Sequence, residues 1–262
     1  MKRYFFGKYY KFISPSGFSF AAIISESNDG PELQIITGDG AHVINDKHAA
    51  QVIDNRINFF VKQNDITLQG EIILGELHPL KKHVMGPFRF LPLECKHAIY
   101  SMFHSLSGSI VYNNQTYSFT DGYGYIEGDA GVNFPKKYIW YNSTKSAHGI
   151  TLAIASIPIA FVKFTGLLCF IKTKDQEIYL STYNGAKPIK ITPTEIVIKK
   201  RKYVFTLKVL GEGGHLLKAP VQGKMDRYIK ENLRVKTAYT LKKNNTIILD
   251  EVDELSSLEY MF

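Results

Sequence analysis

Residues 66–74 read ITLQGEIIL, and their apolar and polar side chains alternate with a period of two. Neighbouring side chains of an extended strand point to opposite faces, so this pattern predicts a strand with one buried face. The same alternation occurs in residues 204–210, VFTLKVL, and in residues 234–241, RVKTAYTL. No long segment shows the helical period of about 3.6. Short helical pieces are therefore expected only near residues 46–52 and 251–258.

Turn-forming residues separate these alternating runs. Asn, Asp and Gly favour tight turns, and they occur at Ser27–Gly30, Asn113–Asn114 and Lys243–Asn245. The spacing predicts roughly sixteen to twenty short strands, which is too many for one eight-stranded barrel. The predicted fold class is therefore all-β, with two antiparallel β-barrel or half-barrel domains in tandem. We place the N-terminal domain at residues 1–130 and the C-terminal domain at residues 131–262, packed directly on each other.

The chain is basic, with a formal net charge of +8 and a pI of about 9.2. Such a balance can attract nucleic acids or anionic membrane surfaces. The lysines and arginines are mostly spread out, however, and the one tight cluster, Lys199–Lys202, lies between two apolar runs. A solvated hairpin end is favoured there over a binding patch. We expect no nucleic-acid partner and at most a transient contact with a membrane surface.

The sequence favours a soluble, cytoplasmic protein. Residues 1–12, MKRYFFGKYYKF, lack the continuous apolar core of a signal peptide. Residues 150–171 are strongly apolar but contain Lys163, which a membrane helix tolerates poorly, so two buried strands around a turn are favoured. Cys95 and Cys169 show neither metal-ligand spacing nor a disulfide framework.

Common catalytic and cofactor motifs do not occur in the sequence. There is no P-loop, no Gly-x-Gly-x-x-Gly motif after a strand and no Gly-x-Ser-x-Gly elbow. The eight histidines lack the close spacing of a typical metal pair, and no acidic cluster accompanies them. We therefore expect no metal, and a metal assembled from distant strands is the alternative that this pattern leaves open.

Residues 121–140, DGYGYIEGDAGVNFPKKYIW, combine two carboxylates with glycines and aromatic residues. If this stretch is extended, Tyr123, Tyr125, Glu127 and Asp129 share one face. Two interpretations are open. In one, the carboxylates accept backbone N–H bonds in a turn. In the other, they lie in an apolar cavity, where burial raises a carboxyl pKa and makes a general acid that works near pH 7.

Residues 86–110, GPFRFLPLECKHAIYSMFHSLSGSI, carry further candidates, including His97 and His104. The two histidines are seven positions apart. On one strand they face opposite ways, so at most one of them looks into a given cavity. A lone histidine of this kind is more often a structural group.

These two stretches resemble the tocopherol cyclase family. The similarity runs in order over residues 86–240, whereas residues 1–85 match weakly, mainly at Gly7–Lys11. Two positions depart from the family pattern, because Gly128 stands where a basic or polar residue is usual and Ala130 stands where tryptophan is usual. The loss of that large aromatic either enlarges the pocket or marks lost catalysis. The matching positions are Gly86, Pro87, Phe88, Leu91, Pro92, Glu94, His97, Ser101, His104–Gly108, Gly124–Glu127, Asp129, Gly131, Phe134, Pro135, Trp140, Ile157, Pro158, Thr182–Lys187, Ala219, Pro220, Gly223 and Met225.

The resemblance implies two lipocalin-like barrels or half-barrels and cofactor-free chemistry on a prenylated quinol. An acid protonates the prenyl alkene, and the phenol oxygen closes on the tertiary cation to form a chromanol. As hypotheses for this chain, Asp129 or Glu127 is the proton donor and His104 accepts or relays the phenol proton. The residues expected to bind the substrate are Tyr123, Tyr125, Trp140, Arg89, Phe134 and Asn184.

Two functions remain open at this point. The first is a cyclase or hydratase that acts on a prenyl compound or another apolar lipid, and the retained Glu127, Asp129 and His104 favour it. The second is a lipid-binding protein on the same scaffold without catalysis, and Ala130 and the weak N-terminal match favour it. A fold of this kind supports both functions, so the decision depends on the site.

Overall fold

The computed structural model describes residues 4–44, 46–63, 65–159, 162–211 and 213–261. Two antiparallel sheets of ten strands each contain nearly all of the regular structure. The all-β prediction is therefore confirmed, with a strand count at the upper end of the expected range. In the described part of the chain, no helix has the length and apolar character needed to cross a membrane.

The first sheet contains strands β1 to β10. Its strand order is β4-β3-β2-β1-β10-β8-β7-β6-β5, and β9 pairs with β8 outside this path. A short 3₁₀ turn at Gly86–Phe90 precedes β8. The strands are β1 Phe5–Ile13, β2 Ser19–Ser27, β3 Gly30–Ile36, β4 Ala41–Ile44, β5 Ala50–Ile53, β6 Arg56–Lys62, β7 Thr67–Leu74, β8 Cys95–Tyr112, β9 Gln115–Ser118 and β10 Gly122–Gly131.

The second sheet contains strands β11 to β20 and repeats this topology. Its order is β14-β13-β12-β11-β20-β19-β17-β16-β15, and the short strand β18 pairs with β19. A second 3₁₀ turn lies at Thr182–Asn184. The strands are β11 Tyr138–Thr144, β12 His148–Ile159, β13 Val162–Thr173, β14 Glu177–Ser181, β15 Lys187–Ile191, β16 Glu195–Lys200, β17 Tyr203–Val209, β18 His215–Val221, β19 Lys224–Lys243 and β20 Thr246–Tyr260.

Four hairpin turns lie where the sequence predicted them, including the one between β2 and β3. Asn113 and Asn114 have φ values of 47° and 68°, and Asn244 and Asn245 have values of 51° and 67°. Two successive positive φ values define the type I′ turn, whose twist matches antiparallel strands and which asparagine tolerates well. The basic cluster ends the hairpin of β16 and β17, with Arg201 at φ 47°. The prediction of a hairpin end at this cluster is confirmed.

The two predicted helical pieces are wrong. Residues 50–53 form strand β5, and residues 251–258 lie within strand β20. Strand β20 pairs with β11 on one side and β19 on the other, so sheet hydrogen bonds override the local preference of Glu and Leu for a helix. Residues 150–171 form the paired strands β12 and β13, as predicted. Residues 160–161, between these strands, lie outside the described residues.

Three apolar clusters organise the molecule. Phe12 and Phe59 belong to a cluster drawn from most strands of the first sheet, so this sheet curls around its own core. Phe205 belongs to the equivalent cluster of the second sheet. A third cluster, which includes Tyr125 and Trp140, contains residues of both sheets and joins them. The chain passes from the first sheet to the second between β10 and β11.

We predict that Gly108 is required where β7 and β8 approach each other. Its φ is +94°, and a Cβ atom there would lie 2.3 Å from the carbonyl oxygen of Glu71. Gly30 has a similar φ of +102° but no atom within 4 Å of such a Cβ. The Gly30→Ala control is expected to lower the free energy of unfolding by about 1–3 kcal/mol through backbone strain alone. Gly108→Ala should cost at least about 2 kcal/mol more, because of the added clash.

Urea unfolding of the two variants and the wild type measures both losses. Equal losses in the two variants would contradict the close approach of β7 and β8.

Candidate active site

A cavity of about 220 Å³ lies between the two sheets, and we call it the interface cavity. Most of its wall is apolar, and both sheets contribute to it. Ligand sites in proteins are typically concave, mainly apolar and provided with a few placed polar groups. Apolar residues along the wall include Phe5, Ile23, Phe134, Ile154, Leu168 and Ile229.

Strand β10 brings two carboxyl groups to this cavity. Ile126 packs into the core of the first sheet, whereas Tyr125 belongs to the cluster between the sheets. Glu127 and Asp129 follow Tyr125 at intervals of two and line the interface cavity. The predicted extended conformation is confirmed. The sequence left two locations open for these carboxylates, a turn or an apolar cavity, and they lie at the cavity wall.

Glu127 is held by hydrogen bonds from both sheets. The Tyr125 hydroxyl donates to Glu127 Oε2 at 2.5 Å, and Trp140 Nε1 donates to the same oxygen at 2.9 Å. The Tyr125 hydroxyl also lies 3.2 Å from Thr151 Oγ1 in the second sheet. Glu127 is 5% exposed. These bonds fix its carboxyl at the junction of the sheets.

His97 completes a cluster with the two carboxylates. It lies on β8 directly opposite Asp129 on β10. Its Nδ1 is 3.1 Å from Asp129 Oδ1, and its Nε2 is 3.6 Å from Glu127 Oε2. The Cys95 thiol donates to Asp129 Oδ1 at 3.5 Å. One imidazole therefore lies between two carboxylates at the cavity wall.

The charges in this cluster shift its pKa values. Burial alone would lower the pKa of His97, but the carboxylates of Asp129 and Glu127 outweigh it and raise that pKa to about 9. Burial raises the pKa of Glu127 to about 7, although His97 opposes the shift. At neutral pH, His97 is therefore an imidazolium and Glu127 exchanges its proton readily.

His104, the predicted proton acceptor, does not line the interface cavity. Its Nδ1 is 3.0 Å from Ser101 Oγ, and its ring lies against Gly124, where a Cβ atom would be 2.7 Å from His104 Nε2. Burial lowers the pKa of His104 to about 4. His104 is therefore a neutral side chain that is buried in the protein interior. His97, and not His104, is the histidine that lies beside the two carboxylates.

The other predicted ligand contacts divide into two groups. Trp140 and Phe134 line the interface cavity. Tyr125 supports Glu127, whereas Tyr123 and Asn184 do not belong to the cavity wall. Asn184 instead caps a 3₁₀ turn, because its Oδ1 accepts from the backbone N–H of Ser181 at 3.0 Å.

Arg89 lines a second cavity of about 330 Å³, which we call the outer cavity. The two cavities share four wall residues, Met85, His97, Gly128 and Asp129. Ala130 also lines the outer cavity, so a tryptophan at this position would occupy part of it. Ala130 does not line the interface cavity, so the space beside it belongs to the outer cavity, and the alternative of lost catalysis stays a prediction.

Two further carboxyls in the second sheet were missed by the sequence analysis. Glu259 lines the interface cavity and accepts a hydrogen bond from the Tyr138 hydroxyl. Glu231 is fully buried and accepts a hydrogen bond from the Tyr9 hydroxyl at 2.8 Å. Both are isolated glutamates in the sequence, and only the pairing of β19 with β20 brings them together.

His97, Glu127 and Asp129 are also the described residues that group as potential metal ligands, with ligand atoms within 4.8 Å of one another. A metal ion requires neutral imidazole. Since His97 is held as an imidazolium by its neighbours, a metal would have to displace that proton. The expected absence of a metal stays a prediction.

Comparisons with known proteins show the fold. No protein-family model matches the chain, and no curated protein matches its sequence. Kievitone hydratase from Nectria haematococca is similar in structure, with a TM-score of 0.60 and 9% identity over 99% of this chain and 89% of that chain. CghA gives a TM-score of 0.61 with 5% identity over 98% of this chain and 88% of that chain.

A putative AttH from Nitrosomonas europaea gives a TM-score of 0.55 with 10% identity over 99% of this chain and 93% of that chain. These structures share the architecture of the chain over almost its whole length. At such low identity they show the fold alone, and function has to be argued from the site.

We predict that Asp129 maintains the charge of His97. The imidazole C–H signals of His97 should titrate near pH 9 in NMR spectra of the wild type, as its raised pKa requires. Asp129→Asn should lower that pKa by at least about 1 unit, because it removes an adjacent opposite charge. The control Asp65→Asn, which removes the exposed partner of His42, should leave His97 unchanged.

The same shift predicts the pH dependence of stability. A raised pKa means that the folded state binds the His97 proton more tightly than the unfolded state does. This contribution is complete below about pH 6.5 and is lost as the pH rises through about 9. Urea unfolding of wild type and His97→Gln across this range should show the difference shrinking with pH. A constant difference would contradict the assignment.

Proposed function

We propose that the protein is a cofactor-free cyclase or hydratase that acts by acid catalysis on a prenylated quinol or a related prenyl compound in the interface cavity. The observation that carries the proposal is Glu127, a buried carboxyl at an apolar cavity wall. Its pKa of about 7 makes it a usable acid at neutral pH. The resemblance to the tocopherol cyclase family supports the same chemistry. The fold shared with kievitone hydratase is compatible with it.

The reaction begins with proton transfer from Glu127 to an alkene carbon of the substrate. A C–H bond forms, the π bond breaks and a tertiary cation remains. Trp140 and Tyr9 lie in edge-to-face contact at this wall, with ring centroids 5.2 Å apart. Aromatic faces attract cations by about 0.5–2 kcal/mol, more strongly where water is excluded. The apolar cavity also protects the cation from premature capture by water.

A ring hydroxyl of the substrate then closes on the cation, or a water molecule does so in a hydration. A C–O bond forms, and Asp129 accepts the O–H proton. His97 lies between the two carboxylates as an imidazolium, so it first gives its Nε2 proton to Glu127, and the neutral imidazole then takes up the proton held by Asp129. The relay restores the starting state. Ring closure is therefore an isomerisation with no net consumption of protons.

We predict that Glu127→Gln abolishes turnover but preserves binding. The amide keeps the shape of the side chain and removes the transferable proton, so turnover should fall by about 10²–10⁴-fold. Purified protein is incubated with geranylated hydroquinone, and the ring-closed product is separated by chromatography from its isomeric substrate. Fluorescence of Trp140, the only tryptophan, reports binding in the same samples. Glu254→Gln, at an exposed carboxylate, serves as the matched control.

The outcome separates the two functions that the sequence left open. Turnover that is lost in Glu127→Gln and retained in Glu254→Gln supports the enzyme. Binding without any product in the wild type would contradict catalysis on this substrate and favour the lipid-binding alternative. In that case Ala130→Trp, which introduces the tryptophan usual at this position in the tocopherol cyclase family, tests whether turnover can be recovered.

We also propose that the outer cavity opens toward a membrane surface that supplies the apolar substrate. Phe90 is 76% exposed and Phe6 is 42% exposed, and both line this cavity. Arg89 and Lys96 lie exposed beside them, and the Arg89 guanidinium lies 4.5 Å from the Phe90 ring. Exposed aromatic rings next to cationic side chains are typical of interfacial contact with anionic lipid.

We predict that the protein binds vesicles of phosphatidylcholine and phosphatidylglycerol more tightly than vesicles of phosphatidylcholine alone. Phe90→Ser should weaken this binding about tenfold or more, because burying a phenylalanine side chain contributes about 1.5–3 kcal/mol. Val252→Ser changes another exposed apolar residue, 54% exposed on β20 and outside the wall of the outer cavity, and should have no effect. Co-sedimentation with each vesicle type measures the bound fraction of the wild type and of both variants. Equal binding to both vesicle types, or equal losses in both variants, would contradict the proposal.

A further inference from the structure

Glu259 is the counterpart of Glu127 in the second sheet. Strands β10 and β20 occupy equivalent places in the two sheet orders. Glu127 lies opposite Tyr9 across β1 and β10, and Glu259 lies opposite Trp140 across β11 and β20. Both glutamates line the interface cavity. The repeated topology therefore places an equivalent glutamate on each wall.

Glu259 also faces a second carboxyl within its own sheet. Glu231 on β19 lies directly opposite it on β20. Side chains in this relation have Cβ atoms about 4.5–5.5 Å apart. One carboxyl oxygen of Glu231, Oε2, is buried and has no hydrogen-bond partner among the described residues. Two carboxyls placed in this way cannot both ionise readily, so the pair retains a proton.

The surrounding groups place that proton on Glu259. No lysine, arginine or histidine of the described residues forms an ion pair with either glutamate of this pair. Burial raises the pKa of Glu231 to about 7, and the hydrogen bond from Tyr9 and the buried cation of Lys11 limit that rise. Glu259 instead faces the carboxyls of Glu231, Glu127 and Asp129, and burial together with these charges raises its pKa well above the ordinary value.

The hydrogen bonds of Glu259 leave its proton free to bind a ligand. The Tyr138 hydroxyl donates to Glu259 Oε2. In the described part of the chain, no hydrogen bond reaches the other carboxyl oxygen of Glu259. A protonated carboxyl has one O–H donor in addition to its acceptor sites. Since Glu259 lines the cavity, that donor is available at the wall opposite His97 and Asp129.

We propose that Glu259 is a neutral carboxylic acid that donates a hydrogen bond to an oxygen atom of the ligand. The ligand is therefore an oxygen-bearing prenyl compound, such as a quinol, and not a pure hydrocarbon. One ring oxygen lies at Glu259, while the ring-closing hydroxyl lies at Asp129 and the alkene lies at Glu127. This inference rests on the proposed function, because it adds a wall that binds a ring oxygen to the wall that transfers protons.

The first experiment tests the neutral acid without any substrate. Infrared spectra of the resting protein at pH 7.5 should show the C=O band of a protonated carboxylic acid, and Glu259→Gln should remove it. Glu231→Gln removes the opposing carboxyl, so the Glu259 band should disappear at a lower pH than in the wild type. A spectrum without a band that depends on Glu259 overturns the proposal.

The second experiment tests recognition of the oxygen. Fluorescence of Trp140 is titrated with geranylated hydroquinone and with geranylbenzene, which has the same carbon framework without ring oxygens. Glu259→Leu should weaken binding of the hydroquinone about tenfold, since a buried hydrogen bond contributes about 0.5–1.5 kcal/mol and an unpaired group adds to the loss. Binding of geranylbenzene should be unchanged. Glu259→Gln keeps an N–H donor and should bind the hydroquinone nearly as well as the wild type.

The outcomes distinguish this proposal from the proposed function. Equal binding of the hydroquinone by wild type and Glu259→Leu, or an equal loss for both ligands, overturns the role of Glu259 even if the wild type turns substrate over. Specific loss for the hydroquinone in a protein that makes no product supports Glu259 and contradicts the catalytic proposal. Binding of neither ligand to the wild type overturns both proposals for prenyl compounds.

Discussion

The hydrogen bond from Trp140 Nε1 to Glu127 Oε2 is the interaction on which the site depends, because it joins the two sheets at a buried carboxyl. Burial of a carboxyl is costly unless it is hydrogen-bonded or neutralised. Here Tyr125 and Trp140 supply the bonds, and His97 supplies the opposing charge. The carboxyl can therefore lie in an apolar environment while its proton stays exchangeable near neutral pH.

The repeated topology explains why such a site arises between the sheets. Each sheet encloses its own apolar core, and the outward faces meet in a third cluster. Residues on those faces come from both sheets, so a cavity there has two chemically different walls. One wall carries His97 and Asp129 beside Glu127, and the other carries Glu259 beside Glu231. The different partners give the two equivalent glutamates different protonation behaviour.

The sequence was sufficient to predict the all-β architecture and the strand that carries Glu127 and Asp129, because period-two alternation and asparagine turns are local signals. It assigned the proton relay to His104, whereas His97 lies beside the carboxylates, because the register of β8 against β10 decides which histidine faces them. Glu231 and Glu259 carried no local signal at all. Residues 251–258 favoured a helix locally, and only pairing with β11 and β19 made them a strand.

If the proposals hold, an apolar, oxygen-bearing ligand occupies the cavity between the sheets. The chain has five methionines, of which Met85 and Met225 line that cavity, whereas Met102 is buried in the cluster between the sheets without lining it. Methyl NMR of protein labelled at methionine, titrated with geranylated hydroquinone, reports this occupancy at each methionine. We expect the Met85 and Met225 signals to shift until they reach a plateau, while the Met102 signal stays unchanged. Met85 and Met225 signals that do not move at the highest ligand concentration would show that this ligand does not enter the cavity.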